Sequence, residues 1–149
     1  MMLSKKLFYA VEAVLYIAYN GGRGPVSSRD IAEKQGLPPR YLEQLMQKLV
    51  RGGILRGVRG LHGGYLLARE RRRITVGEIC EVLTDDRDDA GMEGYGGTLL
   101  GEKIIRPVWE TAHNQTMEYL RHVNLSELCE KAMTQNIRKD SDEKMDFAI

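Results

Sequence analysis

The sequence has few cysteines and no long apolar run. Its 149 residues include only two cysteines, Cys80 and Cys129, which excludes a disulfide framework and a four-cysteine zinc site. No apolar stretch approaches the roughly 20 residues that a membrane-spanning helix needs, which argues against an integral membrane protein. The N-terminus starts with basic residues, but Glu12 interrupts its apolar stretch and no small-residue cleavage site follows. We therefore expect no signal peptide and a cytoplasmic protein.

Catalytic and metal-binding motifs are also missing. The glycines form neither a dinucleotide-binding motif nor a Walker loop, and no HExxH motif occurs. The three histidines, His62, His113 and His122, have no cysteine or serine partner in a recognisable arrangement. The acidic run at 85–89 lacks the spaced oxygen ligands and closing glutamate of a calcium loop, and is more typical of a solvated loop. We predict neither an enzyme nor a metal site.

The charge is distributed unevenly along the chain, although the net charge is only +1. Residues 1–75 carry 14 Lys and Arg against 5 Asp and Glu, a net charge of +9, and residues 76–149 carry 8 against 16, a net charge of −8. A basic half favours contact with a polyanion such as nucleic acid. A domain with solvated charge on two faces is the alternative.

Hydrophobic periodicity predicts a mainly α fold with a small β-wing. Apolar residues recur at helical spacing in 3–19, 39–51 and 104–123, and Pro107 should lie in the first turn of the last of these helices or kink it. Two short strands at 54–58 and 65–68 enclose a glycine-rich loop. Shorter helices are predicted to begin at the capping boxes Ser27-x-x-Asp30, Thr75-x-x-Glu78 and Asn124-x-x-Glu127.

This order of elements describes a winged helix-turn-helix followed by a long C-terminal dimerisation helix. We predict a winged helix-turn-helix DNA-binding domain over 1–83, a loop over 84–101, dimerisation helices over 102–135 and a flexible tail over 136–149. An apolar stripe on the long helix indicates a surface that needs a partner; its residues are Ile105, Val108, Trp109, Ala112, Thr116 and Leu120.

The helix at 39–51 has an outward polar face that is suited to reading DNA. Glutamine can bond an adenine edge, glutamate can accept from cytosine, and arginine or lysine can hold guanine or phosphate. Taken alone, the face is more typical of an ordinary solvated helix. The candidate DNA-binding residues on it are Arg40, Glu43, Gln44, Gln47, Lys48 and Arg51.

The loop between the two strands favours the nucleic-acid interpretation. Arg59 stands at its base, suited to the negative potential of a narrow minor groove, and His62 lies near its tip. A simple hairpin turn would explain some of the glycines. It would not explain the arginines clustered around the loop at positions 56, 59, 69, 71, 72 and 73.

These segments resemble the Rrf2 family of winged-helix transcription regulators. The resemblance spans about 3–133 and is carried most specifically by YLEQLMQKLVRGGILRGVRGLHGGYLLAR at 41–69, with SKKLFYAVEAVLYIA at 4–18, GPVSSRDIAEKQGLPPRYLEQ at 24–44 and NLSELCEKA at 124–132. It implies a homodimer that binds a palindromic operator in double-stranded DNA. By motif, Glu43 and Gln44 match base-reading positions, Arg59 matches the wing arginine, and Pro39 and Arg40 lie at the helix start, where the family also contacts DNA.

The sequence departs from the cluster-binding members of that family. They place three cysteines before the long helix, where this chain has Gly91, Gly97 and Lys103, with Arg106 near a histidine position. We therefore expect no conventional iron–sulfur cluster. The predicted function is a DNA-binding regulator, a repressor, that answers an unidentified signal. The loop over 84–101 is then the expected sensing loop.

Three alternatives stay open for the signal. A cluster held by unconventional ligands is one, and a redox switch through Cys80 or Cys129 is another, although free cysteines are more often simply buried. The third is a protein co-regulator that sets the output of a cluster-free regulator.

Overall fold

The computed structural model describes residues 3–84 and 97–140. Most of the predicted sensing loop and the end of the predicted tail lie outside these residues. The chain folds into six α-helices and one two-stranded sheet within them: α1 (Lys5–Asn20), α2 (Ser28–Gln35), α3 (Pro39–Arg51), β1 (Leu55–Val58), β2 (Gly64–Leu67), α4 (Val76–Leu83), α5 (Arg106–Arg121) and α6 (Leu125–Thr134). The mainly α architecture with a small β-wing is thereby confirmed.

The helix-turn-helix consists of α2 and α3, joined by a tight turn. Gly36 ends α2 in the left-handed conformation, with φ of 67°, and donates its N–H to carbonyls of the last turn. Pro39 is the first residue of α3, where its missing N–H costs nothing. One expectation fails here: Ser27 stands at the N-cap of α2, but its side chain makes no capping bond.

A single apolar core holds these helices together. The helix α3 contributes four buried residues, Leu42, Leu45, Met46 and Leu49, which meet buried residues of the other elements. These partners include Ala10, Ala13, Val14, Ile17, Ile31, Leu55, Ile79 and Leu83. Because the inner face of α3 is fully used in the core, its outer face is presented in a fixed orientation.

The wing is an antiparallel hairpin in which Leu55 pairs with Leu67 and Val58 pairs with Gly64. Its strands differ from the predicted ones by a single residue at their ends. Tyr65 also pairs outside the hairpin with Val26, through backbone N–O distances of 2.8 and 3.0 Å. A Cβ on Gly64 would lie 2.4 Å from the Val26 carbonyl oxygen, so this close approach requires glycine.

The helices α4 and α6 both begin at local capping bonds. Thr75 Oγ1 accepts from Glu78 N at 3.1 Å, and Asn124 Oδ1 accepts from Glu127 N at 2.9 Å, which confirms both capping boxes. The two caps are also bridged to each other by backbone pairing. A π-helical turn, Gly101–Ile105, leads into α5, and Pro107 lies in the first turn of α5, as expected.

The beginning of the tail differs from the prediction. Tyr19 Oη donates to the Ile137 carbonyl, and Tyr16 Oη donates to the Asp140 carboxylate, which also pairs with Lys34. The backbone N of Asp140 donates to the Asn20 side chain at 2.8 Å. Residues 137–140 therefore pack on α1 and α2 instead of extending freely, because tyrosine hydroxyls supply partners that no local pattern reveals.

No helix within 3–84 and 97–140 combines the length and the apolar character that a membrane span requires.

Candidate nucleic-acid interface

The outward face of α3 carries the predicted polar residues. Arg40, Gln44, Gln47 and Arg51 are exposed, whereas Glu43 and Lys48 are half-buried. The spacing of 3.6 residues per turn places 40, 44, 47 and 51 on one side of the helix. The structure therefore keeps these residues together on one surface, opposite the buried apolar stripe.

Glu43 is the hub of a hydrogen-bond network behind this surface. Its carboxylate accepts from Ser28 Oγ of α2, from Tyr65 Oη of the wing at 2.6 Å, and from Gln47 Nε2 at 3.3 Å. The bonds from Ser28 and Tyr65 favour the charged form and lower the pKa of Glu43 from its ordinary value, although burial opposes them. One carboxylate thus connects α2, α3 and β2.

Tyr65 is the other centre of the network. It is buried, and its hydroxyl also accepts from Gln47 Nε2 at 3.0 Å. Burial, followed by the bond to Glu43, raises the pKa of Tyr65 to about 12, so its hydroxyl stays protonated and donates. The sequence analysis did not identify Ser28 and Tyr65; the only local signal was a tyrosine directly after the glycine pair of the wing loop.

The tip of the wing is fully accessible. Arg59 and His62 are exposed, and Leu61 between them is 96% exposed. The N–H of Gly63 donates to the Gly60 carbonyl at 3.0 Å, which closes the loop. The structure brings Arg59 and His62 together at the end of a hairpin whose base is bonded to α3 through Tyr65.

Some of the arginines near the wing have acidic partners within the chain. Arg69 pairs with Glu78, and Arg72 pairs with Glu70 at 2.7 Å. Arg56 and Arg59 are exposed on the hairpin itself. The ion pairs offset part of the positive charge at the base of the wing, so the hairpin arginines are better placed for a polyanion.

The predicted dimerisation stripe is exposed over its first half. Val108 and Trp109 are each 55% exposed, and Ile105 and Ala112 are exposed as well. Thr116 and Leu120 differ: the Thr116 hydroxyl donates to the Ala112 carbonyl at 2.9 Å, and Leu120 packs against the core of its own chain. Other exposed apolar residues extend the surface, namely Phe8, Leu99, Leu100, Ile104 and Tyr119.

The residues at the family's cluster positions cannot serve as thiolate ligands. Gly97, Lys103 and Arg106 offer no thiolate, and Gly91 lies outside the described residues. Cys80 and Cys129 are each 1% exposed, and burial raises the pKa of both thiols. Among residues 3–84 and 97–140, no three His, Cys, Asp or Glu side chains are grouped to hold a metal ion. The donor set does not fit a conventional iron–sulfur cluster.

Comparison with known proteins gives concordant results. The Rrf2 profile, described as an iron-dependent transcriptional regulator, matches residues 3–131. The HTH-type transcriptional regulator IscR of Cronobacter sakazakii is 37% identical over 129 residues, which cover 86% of this chain and 80% of that protein, and IscR of Escherichia coli matches to the same extent.

Solved structures agree with the sequence comparison. The structure of T. potens IscR is similar with a TM-score of 0.73 and 34% identity, covering 96% of both chains. The structure of CymR, the global cysteine regulator of B. subtilis, has a TM-score of 0.69 and 29% identity, covering 88% of this chain and 98% of that one.

Proposed function

Because this chain belongs to the Rrf2 family of winged-helix transcription regulators, we propose that it is a homodimeric repressor that binds a palindromic operator in double-stranded DNA. The arrangement of α3 and the wing is the main support. An exposed polar helix face stands beside a hairpin that carries arginine at its tip, and both are fixed on one apolar core. A cytoplasmic, non-enzymatic protein is the corresponding expectation.

In this proposal α3 lies in the major groove and the wing reaches the minor groove. Gln44 is exposed, and its side-chain amide carries the oxygen acceptor and the nitrogen donor that an adenine edge requires. Arg40, Lys48 and Arg51 hold phosphates or guanine, and Arg59 and His62 contact the flanking minor groove. Three internal hydrogen bonds already use part of the acceptor capacity of the Glu43 carboxylate. In this proposal Glu43 contacts bases only with the lone pairs that remain.

The exposed stripe on α5 is the proposed contact with a second copy. Ile105, Val108, Trp109 and Ala112 present apolar surface to solvent, which is unfavourable for an isolated chain. Two copies joined along α5 would bury this surface and present two copies of α3 to two half-sites, as a palindrome requires. The sensing loop over 84–101 precedes α5 and is therefore proposed to act on the dimer.

Selection of duplex DNA from a random library tests this function. The full-length protein should enrich a palindromic sequence and bind it with two protomers per duplex, as measured by fluorescence anisotropy and sedimentation. A transcription assay in vitro should then show reduced transcript from a promoter that contains the sequence. Enrichment of no sequence would contradict specific DNA binding, and increased transcript would make the protein an activator.

We further propose that the signal does not reach this protein through a conventional iron–sulfur cluster. Protein purified without air should be colourless, with no iron or acid-labile sulfide. A brown protein with near-stoichiometric iron would contradict this and favour unconventional ligands. In the colourless case, an enzyme captured from lysate in stoichiometric amount would favour a protein co-regulator.

A thiol switch is a second candidate for the signal. Burial raises the pKa of the Cys129 thiol, and the positive charge of Arg71 opposes this rise in part. A guanidinium near a thiol is typical of reactive cysteines. Operator binding that is unchanged by peroxide, in the wild type and in a Cys80→Ala and Cys129→Ala variant, would eliminate the switch.

A further inference from the structure

Tyr65 is held in place from two sides by backbone bonds. Within the hairpin it pairs with Gly57, and on its other edge its N–H and carbonyl pair with Val26. The residue is 6% exposed, so its ring has little freedom to move. Its hydroxyl is therefore a fixed point of the wing that reaches α3.

The hydroxyl determines how the amide of Gln47 is oriented. A carboxylate only accepts hydrogen bonds, so the amide nitrogen of Gln47, and not its oxygen, faces Glu43. The same nitrogen donates to Tyr65 Oη at 3.0 Å, and because the two acceptor oxygens lie only 2.6 Å apart, the two bonds share one hydrogen. The network therefore fixes the orientation of the Gln47 amide, and with it the directions of the remaining donor and acceptor that an adenine edge would need.

The same hydroxyl fixes the carboxylate of Glu43. One carboxylate oxygen accepts from Tyr65 and Gln47, and the other accepts from Ser28. Both oxygens are thus engaged from inside the protein before any DNA is bound. A side chain held in this way selects among bases by its fixed position, since moving toward a new partner would break internal bonds.

We propose that Tyr65 is a positioning residue that sets the base preference of α3, by fixing the Glu43 carboxylate and the orientation of the Gln47 amide. The inference rests on the proposed function, because it assumes that α3 reads DNA. Removal of the hydroxyl takes one partner from Glu43 and one from Gln47, so both side chains can turn toward other base edges. The preferences at the base pairs that face these two residues should then change.

The test compares base preferences, which a purely structural role would not change. An operator selected with the wild-type protein is varied one base pair at a time, and binding to each duplex is measured for the wild type and Tyr65→Phe. We expect relative affinities to change by about fivefold at the base pairs that face α3, the factor typical for loss of one hydrogen bond. Preferences at the base pairs that face Arg59 should stay unchanged.

Tyr16→Phe is the matched control. It also removes a tyrosine hydroxyl that donates to a carboxylate, but that carboxylate belongs to Asp140 in the tail segment and not to α3. Its base preferences should equal those of the wild type. If Tyr65→Phe weakens binding to every duplex by one common factor, as a structural role would, the inference is overturned.

Ser28→Ala covers the case in which Tyr65→Phe does not fold. It removes the other internal bond to Glu43 and should alter the same base pairs, and unchanged preferences would overturn the inference as well. A failure of the proposed function and a failure of this inference give different results. A wild-type protein that selects no sequence contradicts the proposed function, whereas a selected operator with identical preferences in the variants contradicts only the role of Tyr65.

Discussion

The helices α3 and α5 are both amphipathic, but their outward faces are chemically opposite. The 13 residues of α3 include four that are buried, and its outward face is polar and basic. The 16 residues of α5 include only one buried residue, Met117, and the beginning of its outward face is apolar. Thus α3 is anchored in the core of its own chain, whereas α5 exposes apolar surface that its own chain does not cover.

This difference indicates two kinds of partner. A rigid helix with outward arginine, lysine and glutamine can approach a polyanion without losing its packing. Covering an exposed apolar stripe lowers the free energy of the protein, and the proposed second copy of the chain would cover it symmetrically. The predictions below separate these two roles, beginning with the change expected to have the largest effect.

Val108→Asp places a charge within the exposed stripe of α5. We expect the dimer to dissociate and operator affinity to fall by about a hundredfold or more, because a monomer loses the avidity of the second half-site. Sedimentation equilibrium and fluorescence anisotropy measure the two effects. Asn114→Asp adds the same charge at an exposed polar position of α5 and should leave the dimer intact. A dimeric Val108→Asp protein would show that the interface lies elsewhere.

The sequence predicted those parts of the fold that depend on local chemistry. The capping boxes at Thr75 and Asn124 were predictable because each bond joins residues three positions apart. The stripes of α1 and α3 were predictable because burial follows the helical period. The packing of the tail could not be predicted, since the Tyr16–Asp140 bond joins residues 124 positions apart.

The candidate site was predictable to a similar degree. Helical spacing was sufficient to place Arg40, Gln44 and Arg51 on one exposed face. It did not show that Glu43 and Gln47 are bonded to Tyr65 of the wing, because that contact depends on how the hairpin packs on α3. Periodicity also could not distinguish the exposed part of the α5 stripe from Leu120, which packs on the core.

Arg59→Ala tests the basic side of the comparison. We expect operator affinity to fall by about 1–3 kcal/mol and the preference for flanking base pairs to relax, since the guanidinium would be lost from the minor groove. Binding to the operator and to duplexes with altered flanks measures both effects. Arg121→Ala removes an equal charge from α5, where the arginine pairs with Glu81, and serves as the control. Unchanged operator affinity in Arg59→Ala would contradict the assignment of the wing.

Lys48→Ala and Gln44→Ala separate phosphate contact from base reading within α3. Loss of a phosphate contact weakens all sequences alike and reduces the slope of log affinity against log salt by about 1. Loss of a base contact changes sequence preference and leaves that slope as it was. In anisotropy titrations over a range of salt, we expect Lys48→Ala to weaken all sequences alike and to reduce the slope. We expect Gln44→Ala to change the sequence preference and to leave the slope as it was. If Gln44→Ala instead reduces the salt slope and Lys48→Ala changes the sequence preference, then Gln44 is the phosphate contact and Lys48 is the base contact.

The smallest expected effect concerns the stability of the anchored helix itself. Because Ser28 and Tyr65 lower the pKa of Glu43 below its ordinary value of 4.5, its charged form stabilises the folded state above that pH. This stabilisation is lost as the pH falls through the lower pKa of the folded state.

Glu43→Gln should therefore be less stable than the wild type near neutral pH, by up to about 1 kcal/mol given the partial exposure of the group. Denaturant unfolding should show the difference narrowing as the pH falls below 4.5. Glu33→Gln, which removes an exposed carboxylate of α2, is the control. A difference for Glu43→Gln that stays constant over this range would mean that the carboxylate charge does not contribute to anchoring α3.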